Sequence, residues 1–188
     1  DNGSDIVIAA NGDVIATGYF TGQVDFDPGA GTVQKQAAGN DMYLLTLNAS
    51  GNFVDVHHVQ GTDAEQGIGL ALDAAGNLYA TGLFNQTGVT DFDKDVDYQD
   101  NRDLLNTAGG SDAFVLKLNA SRSLEWVRAL GGTGTDRGYD IQVDAQQTVY
   151  TTGYFNAAAD FDPDQASADL LASAGAEDVF VSAVDAQG

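Results

Sequence analysis

The sequence contains no cysteine and only two prolines among its 188 residues. Without cysteine these residues offer neither a disulfide bond nor a thiolate metal site. Basic residues are also scarce, since seven lysines and arginines stand against 28 acidic residues and give a formal net charge of −21. This charge repels phosphate and argues against nucleic acids and anionic membrane surfaces as partners. No apolar run approaches the roughly 18 residues that a membrane-spanning helix needs.

The residues that are abundant favour turns and strands. The chain has 23 glycines and is 43% hydrophobic, which is enough to bury a core in one ordinary domain. Only three of the acidic residues are glutamate, so nearly all the negative charge is aspartate. Aspartate suits turns, caps and the ligation of hard cations. The composition therefore indicates many tight turns and a capacity to bind cations.

One eight-residue segment occurs three times. Asp13–Phe20 reads DVIATGYF, Asn77–Phe84 reads NLYATGLF and Thr148–Phe155 reads TVYTTGYF. Its Thr-Gly pair begins at Thr17, Thr81 and Thr152, so the copies lie 64 and 71 residues apart. Self-similarity at a fixed spacing is typical of repeat architectures. The chain therefore reads as a single repeat domain, 1–188, with repeats at approximately 1–66, 67–137 and 138–188.

Each repeat is predicted to contain four strands, named A to D here. They begin near Ile6 (A), Val14 (B), Tyr43 (C) and Phe53 (D) in the first repeat. The apolar runs are five to eight residues long and are bounded by Gly, Asn, Asp and Ser, as in strands joined by short turns. The prediction is an all-β fold of tandem four-stranded antiparallel repeats, of β-propeller type, with about three blades.

The strand count predicts an open edge. The pattern A-B-C-D is complete twice, but the third repeat stops at the turn before strand D, near Gly188. We expect the resulting unpaired edge to associate with neighbouring repeats or with another copy of the chain. Head-to-tail contacts of that kind give a ring if the rotation closes and a filament if it does not.

Several motifs resemble the bacterial secreted β-propeller repeats of the SBBP type. They are TGYF, DFDPG at 25–29, AGGSDAFVLKL at 108–118 and LGGTGTDRG at 130–138. The resemblance covers nearly the whole chain and implies an extracellular or cell-surface location. The chain departs from the pattern at 93–97, where Pro-Gly is lost, and at Asp55, which stands opposite Trp126 of the next repeat.

The Asp-Phe-Asp segments in the long connections between strands B and C are the best candidates for chemistry. Residues i and i+2 of an extended chain point the same way, so their carboxylates can reach one ion, and calcium accepts six to eight oxygens. The alternative is that the aspartates cap turns while Phe26, Phe92 and Phe161 anchor the connections, and these anchors are expected under both interpretations. The candidate calcium ligands are Asp25, Asp27, Asp91, Asp93, Asp95, Asp97, Asp160, Asp162 and Asp164.

Other polar residues are given structural roles. Asp41, Asp112 and Asp178 each precede strand C. They could ligate an ion together with the Asp-Phe-Asp segment, but an aspartate in this position more often bonds turn amides, and that role is favoured. His57 and His58 are adjacent on strand D, so they face opposite sides and cannot chelate one ion; we expect this strand to be exposed. No nucleophile motif or phosphate-binding loop is present.

These observations favour a non-catalytic protein. The first hypothesis is an extracellular structural scaffold, such as a component of a surface layer, fibre or adhesin stalk, stabilised by calcium. The second is a propeller module that binds a glycan or a protein through the long B–C connections. A hydrolase or lyase on the same scaffold is a third alternative. The break in the repeat symmetry from Asp93 to Asp103 is the place to look for binding.

Overall fold

The structure is a computed structural model that describes residues 1–85, 89–93, 103–162 and 170–188. Within these ranges it contains fifteen strands and no helix, and hence no helix that could cross a membrane. The strands form three successive antiparallel units, each called a blade below, at residues 2–58, 64–132 and 137–184. The predicted all-β fold of tandem antiparallel repeats is confirmed.

The first blade has four strands in the order A-B-C-D, joined by antiparallel pairing throughout. Asn48 stabilises its C–D turn by accepting the amide hydrogens of Ser50 and Asn52 on its side-chain oxygen, at 2.9 and 3.1 Å. The strands are β1 (Asn2–Ile8), β2 (Val14–Asp25), β3 (Gln34–Leu47) and β4 (Phe53–His58).

The second blade repeats this order and adds a short hairpin in the connection between strands B and C. Its strands are β5 (Ala64–Leu72), β6 (Leu78–Asn85), β7 (Thr90–Asp91), β8 (Leu104–Leu105), β9 (Ser111–Leu118) and β10 (Leu124–Gly132). A single parallel pair, Asn40 with Ala64, joins its strand A to strand C of the first blade.

The third blade has strands A, B and C, again with a hairpin between B and C. Its strands are β11 (Arg137–Val143), β12 (Val149–Phe155), β13 (Ala158–Asp160), β14 (Leu170–Ala172) and β15 (Asp178–Val184). In the part of the chain that the structure describes, β15 pairs with β12 alone, whereas β3 and β9 each pair with strands on both sides.

The blades pack face to face through two hydrophobic cores. Each fully buried Leu, Ile or Phe side chain contributes about 1.5–3 kcal/mol to such a core. Between the first and second blades lie Ile15, Met42, Leu44, Val59, Leu70, Leu78, Ala80, Phe84, Phe92, Phe114, Leu116, Leu118 and Val127. Between the second and third lie Ala71, Tyr79, Ala113, Val115, Trp126, Leu130, Ile141, Val149, Phe155, Ala159, Phe180 and Val184.

The B–C connections differ from the sequence prediction, which gave them no strands of their own. In the first blade they extend the B–C hairpin past a bulge, so that Asp25 pairs with Gln34. The second and third blades form separate hairpins, β7–β8 and β13–β14. Each of these two hairpins also forms backbone pairing with an earlier part of the chain. Asp91 pairs with Gln60, and Asp160 pairs with Gly131. These two connections are therefore held by backbone pairing to the chain just before their own blade, at Gln60 and Gly131.

Candidate functional site

Every Asp-Phe-Asp segment forms the same turn. The first aspartate accepts a hydrogen bond on Oδ1 from the amide of the second, at 3.1 Å in Asp25–Asp27, 3.1 Å in Asp91–Asp93 and 3.0 Å in Asp160–Asp162. An aspartate that bonds the amide two residues on makes an Asx turn. The backbone thus reverses at the same point in each connection.

The phenylalanine inside each turn anchors it to the blade. It packs edge to face on the phenylalanine that ends the TGYF-type segment, with ring centroids 5.1 Å apart in Phe20–Phe26, 5.6 Å in Phe84–Phe92 and 5.2 Å in Phe155–Phe161. Such pairs add about 0.5–1.5 kcal/mol beyond the buried area. The prediction of phenylalanine anchors is confirmed in all three repeats.

In the first connection the carboxylates serve the turn. Oδ1 of Asp25 also accepts the amide hydrogen of Val33 at 2.8 Å, and Oδ1 of Asp27 accepts that of Gly29 at 2.7 Å. Asp25 is exposed to solvent. Here the geometry is that of turn capping.

The second connection gathers three carboxylates instead of two. Asp91, Asp93 and Asp103 each offer an oxygen, and these oxygens all lie within 4.8 Å of one another. The pairing of β7 with β8 brings the third acid in, because Thr90 and Asp91 pair with Leu105 and Leu104, and Phe92 N–H donates to the Asp103 carbonyl at 3.0 Å. Asp91 and Asp103 are buried and Asp93 is half-buried.

Burial, a hydrogen bond with the Asp93 carboxyl and the negative charges of Asp93 and Asp91 together raise the pKa of Asp103 to about 6. Only 4% of Asp103 is exposed, and its Oδ1 has no hydrogen-bond partner among the described residues. Like charges this close and this buried repel unless a proton or a cation separates them. The second connection therefore contains a buried acidic centre with an unsatisfied acceptor.

Such a centre fits a hard cation. Calcium–oxygen bonds of about 2.3–2.6 Å place two ligands of one ion up to about 5 Å apart, which matches the spread of the three oxygens. Sequence reasoning placed Asp91 and Asp93 here but missed Asp103. In the first blade Val33 occupies the position of Asp103, since each directly precedes the residue paired with the first aspartate.

The remaining candidate ligands are placed only in part. Asp160 and Asp162 lie at the end of β13 and after it, both half-buried. Asp95, Asp97 and Asp164 lie outside the described residues. Calcium ligation by these five residues stays a prediction.

Asp41, Asp112 and Asp178 each accept a backbone amide hydrogen, as predicted, from a bend residue at Asp112 and Asp178 and from within β3 at Asp41. Asp41 accepts from Gly39 N at 3.3 Å, Asp112 from Ala108 N at 2.9 Å and Asp178 from Ala174 N at 2.5 Å. Burial, together with the nearby Asp136 carboxyl, raises the pKa of Asp112 to about 7. Burial also raises the pKa of Asp136.

The histidines are buried, so the expectation that they lie on an exposed strand is wrong. The end of strand β4 that carries both histidines is buried on its two faces. Nε2 of His57 lies 2.7 Å from the carbonyl oxygen of Phe92 in the core between the first two blades. Nε2 of His58 points the other way and lies 2.7 Å from Oδ2 of Asp41. The two rings therefore face opposite sides, as the alternation of a strand requires.

A cleft of about 1110 Å³ lies between strand β10 and the C-terminal turn. Trp126 forms part of its wall and donates from Nε1 to the carbonyl oxygen of Ala186 at 3.2 Å. Arg128 donates from Nε to the carbonyl oxygen of Gly188 at 2.8 Å. Ala183 and Val184 at the end of β15 line the same cleft.

No family model matches the sequence. Comparison with curated proteins finds similarity to an uncharacterized WD repeat-containing protein of Acanthamoeba polyphaga mimivirus, which is 20% identical over 173 residues. The match covers 82% of this chain and 12% of the viral protein, so the chain spans only a small part of that relative's length. WD repeats form four-stranded propeller blades, in agreement with the tandem blades described above. The comparison and the structure together support an all-β, propeller-type repeat protein.

Proposed function

We propose that this chain is a non-catalytic, extracellular scaffold module whose second B–C connection binds calcium. The observation that carries the proposal is the contrast between the repeats. The Asx turns and phenylalanine anchors recur in all three repeats, whereas the buried Asp91–Asp93–Asp103 centre occurs where the repeat symmetry breaks.

Repetition supports the scaffold role. Side chains that recur with the unit make the same contacts in each copy, and those contacts fix strands and turns. A catalytic centre, by contrast, needs a unique group of residues that meet at one place. The three-carboxylate group that the described residues bring together, Asp91, Asp93 and Asp103, suits a cation, and the motif resemblance to secreted repeats favours an extracellular location.

Calcium would act on stability. The two buried carboxylates and the half-buried Asp93 repel one another, and a divalent cation replaces that repulsion by attraction. A cation that binds only the folded state adds about 2.7 kcal/mol at a hundredfold excess over its Kd. For a domain of this size that corresponds to a rise in Tm of about 5–10 °C.

The experiment is a thermal melt of the metal-stripped protein in EDTA and in millimolar calcium at pH 7.5. We expect Tm to rise with calcium in the wild type and not in Asp103→Asn, which keeps the volume of the side chain and removes its charge. The matched control is Asp25→Asn in the first connection, which should leave the calcium-dependent rise intact. Equal melting in EDTA and calcium would contradict the calcium part of the proposal.

A specific observation favours the alternative of a glycan- or protein-binding module. Leu170 and Leu171 on β14 expose large apolar side chains, although they belong to the B–C connection of the third blade. Exposed apolar groups on a loop suit contact with a partner. The test is a glycan and protein binding screen of the wild type and of a variant with both leucines replaced by serine. Under this alternative the wild type captures a ligand and the variant does not, whereas under the scaffold proposal neither protein captures one.

A further inference from the structure

Adjacent blades meet through a threonine–glycine contact that recurs along the chain. The threonine of the Thr-Gly pair donates from Oγ1 to a carbonyl of strand C in its own blade, Thr17 to Tyr43 at 2.9 Å and Thr81 to Phe114 at 2.7 Å. Both threonines are fully buried. Each threonine hydroxyl therefore has its hydrogen-bond acceptor within its own blade, and its oxygen also contacts the next blade.

Strand A of the next blade supplies a glycine at this point. A Cβ atom on Gly67 would overlap Oγ1 of Thr17, and a Cβ atom on Gly138 would overlap Oγ1 of Thr81. Each of these strand A glycines pairs with the glycine of the Thr-Gly pair on strand B of the same blade. Gly67 pairs with Gly82, and Gly138 pairs with Gly153. Close approach of the blades therefore requires glycine at this position of strand A.

Both halves of this contact also occur on the outer faces of the first and third blades, where no described residue covers them as fully as inside the chain. Gly3 holds the glycine position in the first blade, because it pairs with Gly18. It is exposed, and among the described residues a Cβ atom there would meet only the hydroxyl of Tyr43, at 3.6 Å. Thr152 holds the threonine position in the third blade and donates to the carbonyl of Phe180 at 2.9 Å, but it is only half-buried.

The apolar surroundings are also uncovered on the same two faces. On the third blade, Val179 and Val181 are 78% and 73% exposed, whereas Ala113 and Val115, at the same positions of the second blade, are fully buried. The register fixes this equivalence, since Val181 pairs with Thr152 as Val115 pairs with Thr81.

The first blade shows the complementary face. Ile6 and Ile8 are 60% and 70% exposed. Leu70, at the position of Ile6 in the second blade, is almost fully buried in the core between the first two blades. The two positions are equivalent because Ile6 pairs with Ala16 and Leu70 pairs with Ala80. Each of these alanines directly precedes the threonine that recurs in the repeats.

We propose that a second copy of this chain binds head to tail, with the third-blade face around Thr152 and Val181 seated on the first-blade face around Gly3 and Ile6. The proposal rests on the scaffold part of the proposed function. A second copy is the proposed occupant because both open faces match faces that pack on each other inside the chain. The third-blade face corresponds to the threonine side of the Thr17–Gly67 and Thr81–Gly138 contacts, and the first-blade face corresponds to the glycine side. The contact is heterologous, so each copy keeps one free face of each kind and assembly continues.

The charge of the chain sets a condition for this assembly. Copies with a net charge of −21 repel one another at long range, and salt screens that repulsion over about 8–10 Å at physiological ionic strength. The faces themselves meet through apolar and hydroxyl groups. We therefore expect association to strengthen as sodium chloride is added, the reverse of an interface held by ion pairs.

The test uses sedimentation velocity of the 188-residue chain over micromolar to submillimolar concentration in physiological salt. Wild type should form concentration-dependent species larger than a monomer. Gly3→Val places a branched side chain where Thr152 of the neighbour would lie, and Val181→Asp places a charge on the other face. Each variant alone should remain monomeric, and both should fold, because the altered positions are exposed in the single chain.

Mixing the two variants gives the decisive result. Gly3→Val retains an intact third-blade face and Val181→Asp retains an intact first-blade face, so an equimolar mixture should form a 1:1 dimer and stop there. The matched control is Val54→Asp, because Val54 is also an exposed valine but lies on β4, away from the two faces. It should assemble as wild type does.

Three results would overturn the interface: a wild type that stays monomeric throughout the range, single variants that assemble like wild type, or a mixture without the dimer. Running the series in EDTA and in calcium separates this proposal from the preceding one. A calcium-dependent rise in Tm without assembly would refute the interface alone, and assembly without that rise would refute the calcium site alone.

Discussion

His58 and Asp41 form a buried polar pair in the first blade, with Nε2 of the histidine 2.7 Å from Oδ2 of the aspartate. Oδ1 of Asp41 also accepts the amide hydrogen of Gly39, and both residues lie in the middle of β3. The ring of His58 packs on Phe20, 4.9 Å between centroids. This pair ties the end of β4 to the middle of β3.

His58→Ala should destabilise the fold by about 2 kcal/mol, because it leaves a buried carboxylate short of one partner. His58→Gln keeps a donor and should cost less. Urea unfolding followed by circular dichroism measures both. Equal stability of wild type and His58→Ala would show that the pair contributes nothing to folding.

Thr81→Val should lower the free energy of unfolding by about 1 kcal/mol, since it removes the buried hydrogen bond to the Phe114 carbonyl while it preserves shape. The matched variant is Thr152→Val, which removes the same bond at a half-buried position and should have a smaller effect in the monomer. Denaturant titration of the two variants under monomeric conditions makes the comparison. A larger loss for Thr152→Val would contradict the assignment of the interblade contacts.

The raised pKa of Asp112 should lower the free energy of unfolding as the pH rises. Its pKa is raised to about 7 in the folded state, whereas the ordinary value is 3.8. Between these values the folded chain holds a proton that the unfolded chain releases, so this contribution to stability is fully present below about pH 4 and is lost as the pH rises to about 7. Asp112→Asn should remove this part of the pH dependence, and the equivalent Asp178→Asn should not. Melting curves from pH 4 to 8 that coincide for wild type and Asp112→Asn would refute the assignment.

The same reasoning gives calcium binding a pH dependence. The pKa of Asp103 is raised to about 6, and a proton on this carboxyl competes with a cation for the same oxygens. We expect the rise in Tm produced by calcium to shrink as the pH falls below about 6. A calcium effect of constant size from pH 5 to 8 would place the ion elsewhere.

Much of the fold follows from local sequence patterns. The alternating apolar runs and Asn-Gly-type turns predict strands A to D, and the recurrence of Phe26, Phe92 and Phe161 predicts the anchors. The short strands in the B–C connections were missed because Thr90–Asp91 and Leu104–Leu105 are too brief to show an alternating pattern. Their position also depends on contacts that are distant in sequence, such as the bridge between Asp91 and Gln60.

Two features of the site depend on tertiary structure in the same way. Asp103 follows Asp91 by twelve positions in the sequence, and their carboxylates lie close together because β7 pairs with β8. Adjacent histidines on a strand usually indicate an exposed edge, but His57 and His58 are buried because each finds an acceptor in a neighbouring segment, Phe92 O and Asp41. The sequence does indicate the location of the site, because the repeat symmetry is lost between Asp93 and Asp103.

Calorimetric titration of calcium into the metal-stripped chain at pH 7.5 tests the central claim most directly. The structure groups three carboxylates in the second connection and uses those of the first for turn capping. We predict one calcium ion per chain in the wild type, the same in Asp25→Asn, and loss of that ion in Asp103→Asn. No binding heat together with no metal in elemental analysis, or binding that Asp103→Asn leaves unchanged, would contradict the account.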